Sequence, residues 1–431
     1  MRTVARLVLL IAALMAAGNV AQAQILPQLP TLPLPQPGGV LGAASEPIGA
    51  TARTVREVRL RALERRFPRE VERDPRGAPV IRSVILALSP SEAALQAARG
   101  AGFTVQSDEA VPGLGERIVT LLAPRGLSTR RALDRLRRLD PGGQYDFSHL
   151  YVESAASEGL PGGGTNVVHP SARANAGAGV AVGLIDGGLR LDHPALRAAH
   201  IETYGCGGRV VPSAHGTAVA SLIVGNAPEL AGAAPGAHLF AADVWCGEEV
   251  PGGRVEDIVR SLGWLLERHV ALVNLSLVGP PNVVLEAIVK RVQSRGVLLV
   301  AAAGNDGPSA PPLYPAAYAG VIAVTGVDAR RKVLLEAARG KHIRFAAPGA
   351  DLRAAALQPD YAMVRGTSFA APLVTGLLAC LLATGKAAGP DAAVAALARE
   401  ARDLGRKGRD DSFGEGVVGE DLVAPPWPRA D

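Results

Sequence analysis

The chain has 431 residues, of which 48% are hydrophobic and 20% charged, so it is long enough for one large domain and one smaller domain. Its net charge is +5, from 45 basic and 40 acidic residues that are dispersed along the chain. This balance argues against a basic nucleic-acid-binding surface, and we expect no nucleic-acid partner. The densest basic run, at 53–76, is interleaved with acidic residues and predicts a solvated helix.

The first 23 residues predict an export signal. Arg2 and Arg6 precede an apolar core at 7–17, which is too short to span a bilayer, and residues 21–23 form an A-x-A cleavage site. No cysteine follows the core, so we expect no membrane anchor. The Pro-rich stretch at 24–50 predicts an extended spacer. The mature protein is therefore expected in the periplasm or outside the cell.

Residues 51–158 predict a small N-terminal domain with its core at 80–153. Turn residues, helix caps and apolar runs indicate strands at 80–88, 103–105, 117–122 and 145–152, and helices after Ser91 and Ser128. The order β-α-β-β-α-β is that of the ferredoxin-like arrangement. A Gly-rich linker at 159–174 then marks a domain boundary.

A different pattern fills residues 175–425. Uniformly apolar strands at 180–185, 239–244, 271–275, 297–302 and 321–324 alternate with helical stretches, one of them at 254–269. Strands of this composition are buried on both faces, which predicts a parallel sheet covered by helices on both sides. In such α/β domains the functional groups gather at the carboxyl ends of the strands.

Four side chains of this predicted domain lie where strands end or helices begin. They are Asp186 and Asn305 after apolar strands, and His215 and Ser368 at helix starts. Each alone has an ordinary explanation as a turn residue, a structural histidine or a helix cap. Together they supply a hydroxyl, an imidazole, a carboxylate and an amide in one domain, which are groups that a serine nucleophile, its base and an oxyanion donor require.

Three motifs carry a family resemblance: VGLIDGG at 182–188, HGTAVA at 215–220 and GTSFAAP at 366–372. From about residue 175 to about residue 420 the sequence resembles the subtilisin-like serine proteases (subtilases). The resemblance implies a serine endopeptidase that hydrolyses polypeptides through an acyl-enzyme. In this scheme Ser368 is the nucleophile, His215 the base and Asp186 the orienting carboxylate. Asn305 and the Ser368 N–H would form the oxyanion hole.

The resemblance also implies a substrate site, where the substrate lies as an added strand. Its residues would be Gly252, Gly253, Ser276, Leu277, Val278, Ala303 and Gly304. Two positions depart from the family pattern. Gly187 stands where the family usually has Ser or Thr, which removes a hydroxyl donor to Asp186. Val278 stands where the family usually has Gly, which predicts a narrower specificity pocket.

Subtilases of this kind carry a ferredoxin-like propeptide that assists folding and then blocks the active site. We therefore expect a self-processing zymogen, with its own N-terminal domain and polypeptide substrates as partners, and a monomeric state. The chemistry requires no cofactor; a structural calcium is compatible with the family, but no sequence pattern places it. The alternatives are a catalytically silent subtilase acting as a binding protein, and a serine esterase; the intact set of four residues favours the peptidase.

The remaining candidates are three cysteines and one histidine. Cys206 and Cys246 either form a disulfide in an exported protein or remain two thiols. Cys380 lies on the apolar helix after Ser368 and is expected to be a buried free thiol. His193 follows Asp186 too closely in the chain to act as its catalytic partner, so we expect a structural histidine.

Overall fold

The computed structural model describes residues 57–58, 60–153, 175–247, 250, 252–358 and 360–423. The predicted signal peptide (1–23), the Pro-rich spacer (24–50) and the Gly-rich linker (159–174) lie outside the described residues. In the part of the chain that is described, no helix combines the length and hydrophobicity needed to cross a lipid bilayer.

The N-terminal part folds as a sheet with two helices. Its elements are β1 (Val71–Arg73), β2 (Pro79–Leu88), α1 (Glu92–Gly100), β3 (Thr104–Val111), β4 (Glu116–Leu122), α2 (Thr129–Leu139) and β5 (Gln144–Glu153). Strands β5, β2, β4 and β3 lie side by side in that order, all antiparallel, and β1 is added on β2. Ser91 and Ser128 cap the two helices, as expected. The ferredoxin-like order of elements is confirmed.

The core of this part lies between the sheet and its helices. Leu95 of α1 and Leu133 and Leu136 of α2 are fully buried against apolar residues of the sheet, among them Ile85 and Leu121. Burying a leucine contributes about 1.5–3 kcal/mol, so these contacts are the main reason that the helices cover this face.

The larger part is built on a sheet of seven parallel strands. They are β6 (Ala181–Asp186), β7 (His200–Tyr204), β10 (His238–Asp243), β12 (Leu272–Leu275), β14 (Leu298–Ala302), β15 (Ile322–Val327) and β16 (Ile343–Pro348). Their order across the sheet is β16-β15-β14-β12-β6-β10-β7. Short strands complete this part: β8 (Asn226–Ala227), β9 (Leu230–Ala231), β11 (Gly253–Arg254), β13 (Leu277–Val278), β17 (Leu352–Ala355) and β18 (Tyr361–Val364).

Helices cover both faces of the parallel sheet, which confirms the predicted α/β class. The helices are α3 (Ala214–Val224), α4 (Val255–Glu267), α5 (Val283–Ser294), α6 (Thr367–Ala383) and α7 (Pro390–Glu400). Successive residues of β6 point to opposite sides: Leu184 packs in the cluster of α3 and α6, and Ile185 in the cluster of α4 and α5. The parallel sheet, including the carboxyl ends of its strands, therefore lies between the two helical layers.

Strand β5 extends the N-terminal sheet onto two short strands of the larger part. Within its own sheet it pairs with β2, and its last residues pair with two short strands of the larger part. Gly253 of β11 pairs with Tyr151, while Leu277 and Val278 of β13 pair with Glu153 and Val152. All of these pairings are antiparallel.

One expected element differs from the structure. The helix predicted at 53–76 ends at residue 66, and β1 follows. Pro68 stops the helix because proline cannot continue the hydrogen-bond ladder. Phe67 and Val71 on either side of it are buried against Leu150, so the segment packs on β5 instead of remaining a solvated helix.

Candidate active site

The histidine-bearing helix α3 is held close to the end of β6. Ser213 caps α3 by accepting a hydrogen bond from the Gly216 N–H at 2.9 Å. Only glycine fits at position 216, because a Cβ there would lie 2.1 Å from the Gly187 carbonyl oxygen. This close approach sets His215, the second residue of α3, beside Asp186, the last residue of β6.

Asp186 and His215 form a buried hydrogen-bonded pair. His215 Nδ1 lies 2.8 Å from Asp186 Oδ1, which also accepts the Gly187 N–H at 2.7 Å. Burial opposes protonation of His215, but the charge and hydrogen bond of Asp186, with a contribution from the charge of Glu153, raise its pKa overall. Nε2 of His215 has no hydrogen-bond partner among the described residues. The ring is therefore oriented with its second nitrogen available for a proton.

Ser368 is the second residue of α6, and its side chain is fully buried. Pro372 lacks an N–H, so it cannot donate to the Ser368 carbonyl four residues before it. The hydroxyl of Ser276 donates to that carbonyl instead, at 2.9 Å. In return Ser368 Oγ donates to the Ser276 carbonyl at 3.3 Å. Because the proline leaves the Ser368 carbonyl available, Ser368 and Ser276 are joined by two hydrogen bonds, and Ser276 belongs to the segment predicted to bind substrate.

Asn305 is fixed by the start of the same helix. Its Oδ1 accepts the Thr367 N–H at 3.2 Å, and Thr367 Oγ1 accepts the Gly304 N–H at 3.1 Å. Since the amide oxygen accepts this hydrogen bond, the NH₂ group is the end of the side chain that can donate. Gly304 has φ +107°, and Leu313 packs where its Cβ would be. Ala303 is buried, with its N–H bonded to the Val324 carbonyl at 2.9 Å.

The last residues of β5 lie between β11 and β13, the two strands predicted to bind substrate. Gly253, Leu277 and Val278, predicted to bind substrate, hold β5 by backbone pairing. At Gly252, with φ +122°, a Cβ would lie 3.0 Å from the Tyr151 carbonyl oxygen. The predicted substrate residues on β11 and β13 therefore surround a strand of the same chain.

Sequence reasoning missed Tyr151 and its pocket. The Tyr151 side chain is fully buried, and its hydroxyl donates to the Pro280 carbonyl at 2.6 Å. A Cβ at Gly279 would lie 2.7 Å from the tyrosine ring. Burial raises the pKa of Tyr151 well above its ordinary value, so its hydroxyl remains a donor. The available signal was a tyrosine in the last strand of the N-terminal domain, which alone suggests only a core residue.

The site departs from the family pattern around Asp186. A Cβ at Gly187 would lie 2.4 Å from Ser213 Oγ and 2.5 Å from the Trp245 ring, so this loop has no space for a hydroxyl-bearing residue. Oδ2 of Asp186 correspondingly has no hydrogen-bond partner in the described part of the chain. A second carboxyl, Asp243, was not anticipated: burial raises its pKa, and the nearby charge of Asp186 adds to the shift.

The structure joins Cys206 and Cys246 in a disulfide with 5.0 Å between their Cα atoms. Their sulfurs and Asp243 form the one group of three metal-ligand side chains found among the described residues, and sulfurs engaged in a disulfide do not bind a metal. No carboxylate cluster in that part of the chain fits the oxygen-rich shell that calcium requires, so no calcium ligands are assigned.

The two other candidates, Cys380 and His193, make contacts typical of structural residues. Cys380 takes no part in a disulfide and is partly buried instead of fully buried, and its thiol donates to the Ala233 carbonyl at 3.2 Å. His193 is buried: its Nδ1 accepts the Ala195 N–H at 3.0 Å, and its Nε2 bonds to the Asp360 carbonyl.

Comparisons with known proteins agree with this architecture. A sequence model described as "Subtilase family" matches residues 177–416. The chain is 33% identical over 211 residues to the minor extracellular protease Epr of Bacillus subtilis (strain 168), covering 47% of this chain and 32% of that protein. It is 30% identical over 270 residues to subtilisin E of the same organism, covering 58% of this chain and 68% of that protein.

A similar solved structure is the crystal structure of fervidolysin from Fervidobacterium pennivorans. The TM-score is 0.66 at 19% identity, covering 80% of this chain and 61% of that chain. The chain thus spans less than two thirds of Epr and of fervidolysin. The likeness to fervidolysin confirms the subtilisin-like fold. Because the family match covers more than half of the sequence, the chain belongs to the subtilase family.

Proposed function

We propose that the chain is an exported serine endopeptidase made as a self-processing zymogen, with Asp186, His215 and Ser368 as its catalytic triad. Subtilases are serine endopeptidases that act on polypeptides and generally need no cofactor for catalysis. The observation that carries the proposal is the buried Asp186–His215 pair, whose Nε2 has no hydrogen-bond partner among the described residues. The His215 ring lies 5.4 Å, centroid to centroid, from the ring of Phe369, the residue after Ser368.

Acylation begins when Ser368 Oγ exchanges its hydrogen bond to the Ser276 carbonyl for one to His215 Nε2. The oxygen attacks the substrate carbonyl carbon while its proton passes to Nε2, and Asp186 stabilises the imidazolium. The carbonyl oxygen becomes an oxyanion, which the Asn305 amide and the Ser368 N–H stabilise by hydrogen bonding. Asn305 is oriented by its hydrogen bond from the Thr367 N–H, and the Ser368 N–H lies in the first turn of α6.

Collapse of the tetrahedral intermediate breaks the C–N bond. His215 gives its proton to the leaving amine, and the acyl group remains as an ester on Ser368. A water molecule then attacks the ester, with His215 again accepting the proton, and Ser368 recovers its hydrogen. The raised pKa of His215 implies that this cycle needs a higher pH than an ordinary histidine would, since only the neutral ring accepts a proton.

The zymogen proposal rests on the contacts between the N-terminal part and the start of helix α5. Asp146 accepts the Val283 N–H at 2.8 Å, at the first residue of α5. His149 Nδ1 accepts from Asn282 Nδ2 at 2.9 Å. These contacts hold β5 with Glu153 close enough to His215 for its charge to act on the ring. We therefore propose that the N-terminal domain is an inhibitory propeptide cleaved between residues 152 and 175.

Labelling with a fluorophosphonate probe, followed by a casein assay, tests the proposed activity. Wild-type protein should be labelled and hydrolyse casein, and Ser368→Ala should do neither. Unlabelled, folded wild-type protein would instead indicate the silent binding protein, and labelled protein that cleaves short-chain esters but not casein would indicate an esterase. N-terminal sequencing of protein recovered outside the cytoplasm tests export: any mature start beyond residue 23 is expected.

A further inference from the structure

A cavity lies at the edge of the parallel sheet opposite the candidate active site. Leu298 and Ile322, the first residues of β14 and β15, line it together with the segment 341–344, which leads into β16. Asp186, in contrast, is the last residue of β6. Since all the strands of this sheet are parallel, the cavity and the catalytic candidates lie at opposite ends of the strands.

The cavity has the size of a small-molecule site and a partly apolar lining. Its volume is about 670 Å³, within the range of about 300–1,000 Å³ that is typical of such sites. The apolar residues of the lining come from β14, from the chain leading into β15 and from α7: Leu298, Ala317, Val321, Ile322, Val394 and Ala395. This wall favours a ligand with a hydrocarbon portion.

The other part of the lining carries mainly positive charge. Its cationic residues are Lys341, Arg344 and Arg409, against one carboxylate, that of Asp391. Nη2 of Arg409 donates to the Lys341 and Ile343 carbonyls at 3.0 and 3.2 Å, which fixes its guanidinium beside the segment 341–344. Nη1 of Arg344 lies 3.3 Å from a Glu415 carboxylate oxygen. The remaining excess of positive charge favours an anion.

Two nitrogens of the lining residues are buried and have no hydrogen-bond partner in the described part of the chain. They are Nε2 of His342 and Nε of Arg344. Burial lowers the pKa of His342, although the charge of Asp411 opposes this shift, so the imidazole is neutral at pH 7. Buried polar groups in native proteins rarely lack a partner. An acceptor on a bound ligand would provide one for the Arg344 nitrogen.

We propose that this cavity binds a carboxylate carried on an apolar chain, which is the chemistry of a fatty acid. The carboxylate lies against Lys341, Arg344 and Arg409, where charge-assisted hydrogen bonds hold it. The chain covers the apolar wall formed by β14, β15 and α7. The site goes beyond the proposed peptidase function and does not depend on it, because none of its residues belongs to the candidate triad.

Isothermal titration calorimetry of the Ser368→Ala full chain tests the site, with octanoate as the probe. Octanoate should bind at least about 10-fold more tightly than acetate, because its longer chain buries more apolar surface. It should also bind at least about 10-fold more tightly than octylammonium, which has the same chain and the opposite charge. Equal affinities for octanoate and octylammonium, tighter binding of inorganic phosphate, or no octanoate binding would overturn the inference.

Substitutions in the lining locate the bound octanoate. Lys341→Gln and Arg409→Gln should each weaken binding by about 5- to 10-fold, because a charged partner is lost. The matched control, Lys332→Gln, removes an exposed lysine that does not line the cavity and should leave the affinity within about twofold.

A substitution on the apolar wall provides an independent check that does not remove any cation. Ala395 is exposed on α7, so Ala395→Asp is compatible with the fold and places a like charge beside the carboxylate. It should weaken octanoate binding by about 5-fold or more, and thermal unfolding without ligand verifies that the variant is folded. Octanoate affinity that is unchanged in all three lining variants would contradict the assignment. Because the Ser368→Ala chain is used throughout, failure of the peptidase proposal would leave this result unaffected.

Discussion

Ser148 of the N-terminal part and Glu256 of the peptidase part share a buried hydrogen bond. Ser148 Oγ donates to the two carboxylate oxygens of Glu256 at 2.8 and 2.9 Å, and both residues are almost fully buried. Glu256 is the second residue of α4, the helix that follows β11. Burial raises the pKa of Glu256 to about 7 from an ordinary value of 4.5.

This pair predicts that the two parts of the chain associate more tightly at acidic pH. Between about pH 4.5 and 7 the docked form keeps a proton on Glu256 that the exposed carboxyl would release, so association weakens as the pH rises through this window. Above pH 7 the docked carboxylate is ionised and its burial cost is fully present. Urea unfolding of the Ser368→Ala full chain at pH 5, 6, 7 and 8, with and without Glu256→Gln, measures the effect.

Glu256→Gln should change the unfolding free energy little at pH 5, where both side chains are neutral. At pH 8 the glutamine should stabilise the chain relative to glutamate by about 1–3 kcal/mol, because no buried charge remains. Glu267→Gln, at the last residue of the same helix, is a matched control: its side chain is exposed, so the substitution removes no buried charge and should change the unfolding free energy little. A stability difference that is the same at pH 5 and pH 8 would contradict this prediction.

Ser368→Ala should accumulate as an uncleaved precursor. Alanine fits the start of α6, and the hydrogen bond from Ser276 to the backbone carbonyl at this position does not need the serine hydroxyl. Size and N-terminal sequence of the secreted variant check this, and the wild-type chain should be cut between residues 152 and 175. Active wild-type protein that retains the N-terminal domain would show that the domain is a permanent accessory.

Asn305→Ala should retain weak activity. One oxyanion donor, the Ser368 N–H, remains, and the expected loss in kcat is about 10²–10³, a range measured for this kind of donor in subtilisin itself. KM should change much less, since the amide acts mainly on the transition state. Steady-state kinetics on one peptide separates the two effects; an increase in KM with unchanged kcat would assign Asn305 to ground-state binding.

The Cys206–Cys246 disulfide closes a loop with a sequence separation of 40 residues. Replacing both cysteines by serine should lower stability by about 4 kcal/mol in the chain-entropy account. Thiol titration of denatured, unreduced wild-type protein should find one thiol, that of Cys380. Three thiols would rule out the bridge.

The positions of the catalytic candidates were predictable because each is encoded locally. Asp186 ends an apolar strand and Ser368 begins an apolar helix, and the common geometry of parallel sheets brings such ends together. The role of Glu256 was not predictable in this way. In the sequence it is an acidic residue in the first turn of a helix, where exposure is usual. In the fold it is buried and accepts a hydrogen bond from Ser148, 108 residues earlier.

The same distinction explains the pocket for Tyr151. The sequence places this tyrosine in the last strand of a small domain, and only the pairing of β5 with β11 and β13 shows that its partners lie more than a hundred residues later. The fold class therefore followed from patterns within single elements. The pairing of β5 with β11 and β13 joins elements far apart in the chain, and no local pattern records it.

The pairing of strand β5 also fixes the direction in which each of its side chains points. Its residues up to His149 pair with β2, with a register shift between Phe147 and His149, and its last residues pair with β13. Because side chains alternate along a strand, lengthening this span by one residue would turn Tyr151 out of its pocket, while two residues would restore its direction. The register of β5 in the N-terminal sheet therefore determines, in steps of two residues, which of its side chains face the larger part.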